Sequence, residues 1–187
     1  AQVNERVYML GAALLVAVQA FALFLFGQPA ICTCDYVKLW EGVVLSAGNS
    51  QHLTDWYSFS HIINGILFYA LLTYFFPKMS VWARLLFATG IEAAWEILEN
   101  TPTVISHYRE QALAQGYTGD SIINSVSDTL MMMLGFLLAR RMAVWAVIAL
   151  ALFLELWVAY EIRDNLTLNI MNLLYQFDFI AAWQSGA

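Results

Sequence analysis

The chain has 187 residues, 61% of them hydrophobic and 12% charged, with a mean hydropathy of +0.64. Soluble domains carry about 25% charged residues, so a disordered chain and an ordinary soluble enzyme are excluded. Eight Lys and Arg against fourteen Asp and Glu give a net charge of −6, so no basic surface is available to track the phosphates of a nucleic acid.

The hydropathy pattern predicts an all-α integral membrane helix bundle, a single domain over residues 1–187, with the lipid bilayer as its surroundings. The first span, residues 7–26, carries no charge and is long enough to cross roughly 30 Å of hydrocarbon. It is longer than the ~7–15-residue core of a signal peptide. No small-x-small cleavage site precedes Cys32, and Ile31 is a poor residue before a lipid-modified cysteine. The chain starts at Ala1, so an initiator Met or a longer start is expected to have been trimmed. The second span is 56–76, stopped by Pro77. The third is 81–98, stopped by Asn100-Thr-Pro102. The fourth is 122–139, stopped by Arg140 and Arg141. The fifth is 143–162, stopped by Arg163-Asp-Asn165. Short links make spans two and three one hairpin and spans four and five another. Residues 166–184 read as a C-terminal amphipathic helix lying in the outer interface, with Asn165, Asn169, Asn172 and Gln176 on one face.

Arg6, Lys78, Arg84, Arg140 and Arg141 fall on one side of this arrangement, and Lys38, Arg109 and Arg163 on the other. Positive charge marks the cytoplasmic side. The N-terminus is therefore expected inside and the C-terminus in the periplasm. Trp82 and Trp145 then mark the inner interface, and Trp40, Trp56, Trp95, Trp157 and Trp183 the outer one.

Polar side chains concentrate at the outer ends of spans two to five. At ~1.5 Å rise per residue, Glu92 lies roughly 10 Å below Glu99 and Asp128 roughly 12 Å below Asp120. His61 and Glu155 reach similar depths. A carboxylate at a helix centre costs about 2.5–3.5 kcal/mol unless it faces water, a cation or a partner. Glu92, Glu96 and Glu99 share one helical face, as do Ser121, Asn124, Ser125 and Asp128, and Ser58, His61 and Asn64. These faces predict a polar cavity open to the outside, lined by His61, Glu92, Glu96, Asn124, Ser125 and Asp128.

Two chemistries fit those side chains. His61, Glu92, Glu96 and Asp128 could ligate a divalent metal ion, since imidazole with carboxylates suits zinc, manganese or iron. Glu92 and Asp128 could serve as acid and base, because clustered carboxylates repel and one holds its proton. The plain alternative is a hydrogen-bond network that locks four helices together. Cys32-Thr-Cys34 would be strained as a mutual disulfide; metal binding, pairing with another chain and two inert thiols stay open. Asp55 reads as a helix N-terminal cap. Met131, Met132 and Met133 read as packing. His107, Arg109 and Glu110 read as a solvated loop helix, and Arg163 as an interfacial ion pair with Glu161 or Asp164.

Several stretches carry a resemblance: Pro29-Ala-Ile-Cys-Thr-Cys34, Ser50-Gln-His-Leu-Thr-Asp-Trp-Tyr57, Trp95-Glu-Ile-Leu-Glu-Asn-Thr-Pro102, Gly119-Asp-Ser-Ile-Ile-Asn-Ser-Val-Ser-Asp128 and Ile162-Arg-Asp-Asn165. On these the chain resembles an uncharacterised family of alphaproteobacterial inner-membrane proteins known only as a domain of unknown function. The resemblance implies a bacterial inner-membrane location and supplies no activity, substrate or cofactor. It also implies a second His three residues after His61, where this chain has Asn64. The Asn124-Ser-Val-Ser-Asp128 run followed by Gly135 is faintly similar to VanZ-like membrane proteins.

The functional expectation is a binding protein whose outer-leaflet cavity holds a divalent cation or a polar lipid head group. A reacting site would perform metal-assisted hydrolysis of a lipid-linked substrate, with Glu92 or Asp128 activating water. The alternative is an accessory subunit of a larger respiratory or photosynthetic membrane complex. The absent second His and the aromatic outer loop motivate that reading. A transporter ranks third, because the inner halves of the spans carry no charge and the chain has no repeat.

Overall fold

A computed structural model describes residues 5–186. It is helical almost throughout: α1 Glu5–Leu25, α2 Ser58–Phe75, α3 Val81–Glu99, α4 Pro102–Arg109, α5 Ile122–Arg141, α6 Val144–Ile162, α7 Leu166–Leu174 and α8 Asp178–Ser185. A short parallel strand pair, β1 Trp40–Glu41 with β2 Thr54–Asp55, ties the outer loop to the start of α2. The starts of three helices follow from capping. Ser80 Oγ accepts from the backbone N–H of Ala83, Ser121 Oγ from Asn124 and Asn165 Oδ1 from Leu168. Pro102 opens α4, where its missing N–H costs nothing. At Arg163 the backbone turns left-handed, with φ 57°, and α6 ends.

Among the described residues four helices, α1, α2, α5 and α6, are long and apolar enough to cross a membrane. The third expected span is α3, of comparable length at 19 residues. It is less apolar because Arg84, Glu92, Glu96 and Glu99 all lie on it. In place of the single expected helix over 166–184 there are two. The chain is extended at Tyr175 and Phe177, and α8 folds back so that Asn172 Nδ2 donates to Gln184 Oε1 at 3.2 Å. Both side chains are buried. The polar face of this segment thus packs into the protein.

Helices α2 and α5 meet backbone to backbone. A Cβ built on Gly65 would lie 1.9 Å from the carbonyl oxygen of Met132, and one on Gly135 would lie 2.0 Å from that of Ile62. Small residues permit such an approach, which brings main-chain dipoles and many side-chain atoms into contact. Leu86 reaches Gly11 and Leu15 reaches Gly90, so α1 and α3 lie side by side and run the same way. Below the glycine contact, Leu72, Leu85, Ala88, Met132 and Phe136 form a buried apolar core. Tyr69 meets Phe136 edge to face at 5.1 Å. Arg84 Nη1 donates to Thr73 Oγ1 at 2.5 Å, and the Arg140 guanidinium lies 5.2 Å from the Trp82 ring. Arg84 and Arg140 therefore lie at the end opposite the acidic cluster.

Cys32 and Cys34 are joined by a disulfide, so the open alternatives for these thiols are replaced by the mutual bond. Their Cα atoms lie 5.1 Å apart, within disulfide reach. Two further expectations are corrected. Asp55 binds the backbone N–H groups of Tyr57 at 2.8 Å and Ser50 at 3.1 Å ahead of the helix, and the N-cap position of α2 is Tyr57. Arg163 donates to the Trp183 carbonyl at 3.1 Å, which anchors α8.

Candidate functional site

The acidic end holds a cavity of about 830 Å³. His61 and Asn64 from α2, Glu92 and Glu99 from α3, and Asp128 from α5 line it. The C-terminal helices close one side with Leu166, Asn169, Ile170, Leu173 and Gln184. Helical phase explains the convergence: residues three and four apart share a face, and each of these faces turns inward.

At the centre, His61 Nδ1 lies 2.5 Å from Glu92 Oε1 and 3.6 Å from Glu96 Oε1. One ligand atom from each of these three residues lies within 4.8 Å of the others. Asp128 faces the opposite ring nitrogen, with Oδ2 3.8 Å from His61 Nε2. Ser58 Oγ donates to Asp128 Oδ1 at 2.9 Å. Three of the four expected metal ligands thus form one compact group, and Asp128 stands behind the imidazole, where it can orient the ring.

Glu96, Asn124 and Ser125, expected on the cavity wall, are buried behind it, and Ser125 and Asn124 also lie outside that group. Ser125 Oγ donates to Glu96 Oε2 at 2.7 Å. Asn124 Nδ2 donates to the His52 carbonyl at 2.9 Å and ties α5 to the outer loop. A residue outside the expected set, Gln19 of α1, completes the support. It is fully buried, its Nε2 donates to Ser125 Oγ at 2.7 Å and to the Ser125 carbonyl at 3.0 Å, and its Oε1 accepts from Thr129 Oγ1 at 2.8 Å. The only sequence signal for it was a lone amide in an apolar span. The relay fixes one oxygen of Glu96. The other, Oε1, is buried with no hydrogen-bond partner among the described residues. A buried carboxylate oxygen left in this state costs roughly 1–3 kcal/mol or more. Glu96 Oε1 lies beside an imidazole and a second carboxylate, which hydrogen-bond to each other at 2.5 Å; these donor types are ones that transition metals accept.

Further out, Asp120 Oδ2 accepts from Asn100 Nδ2 at 2.7 Å and Oδ1 from the Tyr117 hydroxyl at 2.8 Å. Burial pushes the Asp120 carboxyl up to about 6, against those two hydrogen bonds. Asp164 is likewise raised by burial to about 6, although it accepts from Asn165 N, the Tyr57 hydroxyl and Gln184 Nε2. Ligand atoms of Glu96, Glu99 and Asp120 also lie within 4.8 Å of one another. No Lys or Arg lines the cavity among the described residues.

Residues 23–186 match the family described as "Protein of unknown function (DUF2585)". The chain belongs to this family. It is similar to a UPF0314 protein of Sphingopyxis alaskensis, 51% identical over 182 residues that cover 97% of each chain. It is also similar to a UPF0314 protein of Rhizobium meliloti, 51% identical over 99% of this chain and 94% of the relative. A UPF0314 protein of Sinorhizobium fredii is 52% identical over 92% and 87%. No solved structure matches the DUF2585 chain.

Proposed function

We propose that this DUF2585 protein is a divalent-cation-binding protein of the bacterial inner membrane, with His61, Glu92 and Glu96 as ligands. The observation that carries the reading is the buried Glu96 Oε1, which has no hydrogen-bond partner among the described residues and lies 3.6 Å from His61 Nδ1. Asp128 on the other ring nitrogen and the Gln19–Ser125 relay behind Glu96 are the supports a metal site requires, because ligands held from behind lose little freedom on binding. A bound ion would supply Lewis acidity toward a head group entering the cavity. Hydrolysis of a lipid-linked substrate is the reaction this suits, with Asp128 placed on the cavity wall to take a proton from water. Five spans, α3 included, carry the chain from a cytoplasmic N-terminus to a periplasmic C-terminus, with α7 and α8 at the outer surface. The basic end, with Arg84 and Arg140, supports this orientation. So does the Cys32–Cys34 disulfide in the outer loop, since such bonds persist in oxidising compartments.

Elemental analysis of protein extracted from membranes in neutral detergent tests the reading. At least one transition-metal ion per chain is expected, retained in Asp178→Asn and lost in Glu96→Gln. Wild-type protein that carries no ion, and takes up none from micromolar zinc or manganese, overturns it.

A further inference from the structure

The acidic end holds more carboxyl groups than one ion can ligate and neutralise. Glu92, Glu96, Asp120 and Asp128 are each at most 5% exposed. Glu99, on the face of α3 next to Glu96, lines the same cavity. With His61 neutral as a ligand and all five carboxylates ionised, one dication leaves a formal charge of −3, and two leave −1. Desolvated like charges this close repel strongly, and the cavity wall supplies no Lys or Arg among the described residues.

The geometry offers a second position. His61, Glu92 and Glu96 form one group of mutually close ligand atoms, and Glu96, Glu99 and Asp120 form another. Glu96 belongs to both. It is 1% exposed, and its Oε1 has no hydrogen-bond partner among the described residues. We propose that the cavity holds a pair of divalent ions bridged by the Glu96 carboxylate, one on His61 and Glu92 and the other on Glu99 and Asp120. This rests on the single-ion reading above and extends it.

The two positions differ in chemistry. The inner one has an imidazole nitrogen and suits zinc, manganese or iron. The outer one has oxygen donors only and suits harder ions such as magnesium or manganese. Asn100 Nδ2 and the Tyr117 hydroxyl hold one lone pair on each Asp120 oxygen, so the carboxylate is oriented and still has acceptor capacity. An ion pair of this kind nearly cancels the negative charge of the cavity and leaves positive centres exposed in it. A phosphate or carboxylate group, repelled by the bare acids, becomes the favoured ligand, and paired ions clamp both oxygens of a displacement at such a group.

The test is a manganese titration of chelator-stripped wild-type protein in detergent, read by elemental analysis and by electron paramagnetic resonance. Two manganese ions per chain with an exchange-coupled spectrum are expected. Asp120→Asn should fall to one ion per chain with the spectrum of an isolated ion, while Asp178→Asn keeps both. One ion per wild-type chain, or two without exchange coupling, overturns the bridged pair and leaves the single-ion reading standing. None overturns both. The wild-type measurement decides the proposal even if the Asp120 variant fails to fold.

Discussion

Gly135→Ala is the sharpest test of the packing that positions the site. The added Cβ would lie 2.0 Å from the Ile62 carbonyl oxygen and 2.8 Å from its carbon. Ordinary van der Waals contact begins near 3.4 Å, so the Ile62 backbone would have to retreat by about 1.4 Å. Backbone cannot rotate aside as a side chain can, so α2 and α5 must separate along the whole contact. Overpacking of this kind costs about 1–3 kcal/mol, and the methyl falls at the tightest helix pair in the molecule. For a chain of this size ~2–3 kcal/mol corresponds to a fall of roughly 5–10 °C in Tm. Gly90→Ala is the matched control. Its Cβ would meet only Leu15 Cδ1, at 3.6 Å, and alanine gains about 0.8–1 kcal/mol over glycine in helix propensity. Thermal unfolding in one neutral detergent, followed by circular dichroism, should therefore lower Tm for Gly135→Ala and leave Gly90→Ala equal to or above wild type. Equal Tm values for both variants and wild type would refute the close helix contact.

Gln19→Leu removes two donated and one accepted hydrogen bond behind Glu96. Buried side-chain bonds between membrane helices average about 0.6 kcal/mol each, so a loss of ~2 kcal/mol is expected. Metal affinity, measured by isothermal titration with zinc, should weaken about 10–100-fold, as when a supporting partner of a ligand is removed; an unchanged affinity would detach Gln19 from the site. Asp164 tests the pH dependence. Its folded-state carboxyl sits at about 6, above the ordinary value of ~3.9, so the fold binds the proton more tightly than the unfolded chain does. Its stabilising effect is complete below ~4 and disappears as pH rises through 6. The shift of about two units corresponds to at most ~3 kcal/mol. Urea titrations at pH 4.5 and 7.5 should show a smaller pH difference for Asp164→Asn than for wild type, and an unaltered difference would contradict the burial of Asp164.

Much of the fold was legible because the signals were long and redundant. Span 122–139 matches α5 at its start, although the helix runs on through Arg140 and Arg141, and spans 56–76 and 143–162 match α2 and α6 to within a few residues. The convergence of His61, Glu92 and Glu96 followed from helical phase alone, since spacings of three and four residues fix which side chains share a face. The remainder depended on relations that phase does not encode. Which ring nitrogen of His61 meets Asp128 depends on the crossing of α2 and α5, and that crossing is set by Gly65 and Gly135, which carry no side chain to read. Gln19 was hidden in an apolar run. The break at Tyr175 has no Gly or Pro to announce it; it is held by the distant pairing of Asn172 with Gln184.

The packed floor of Leu85, Ala88, Met132 and Phe136 has a consequence for traffic. These side chains are at most 1% exposed, and the cavity lies at the acidic end of the bundle. The chamber has an apolar floor. An occupant that enters at the acidic end meets this floor, so passage through the apolar half of the bundle is closed to it.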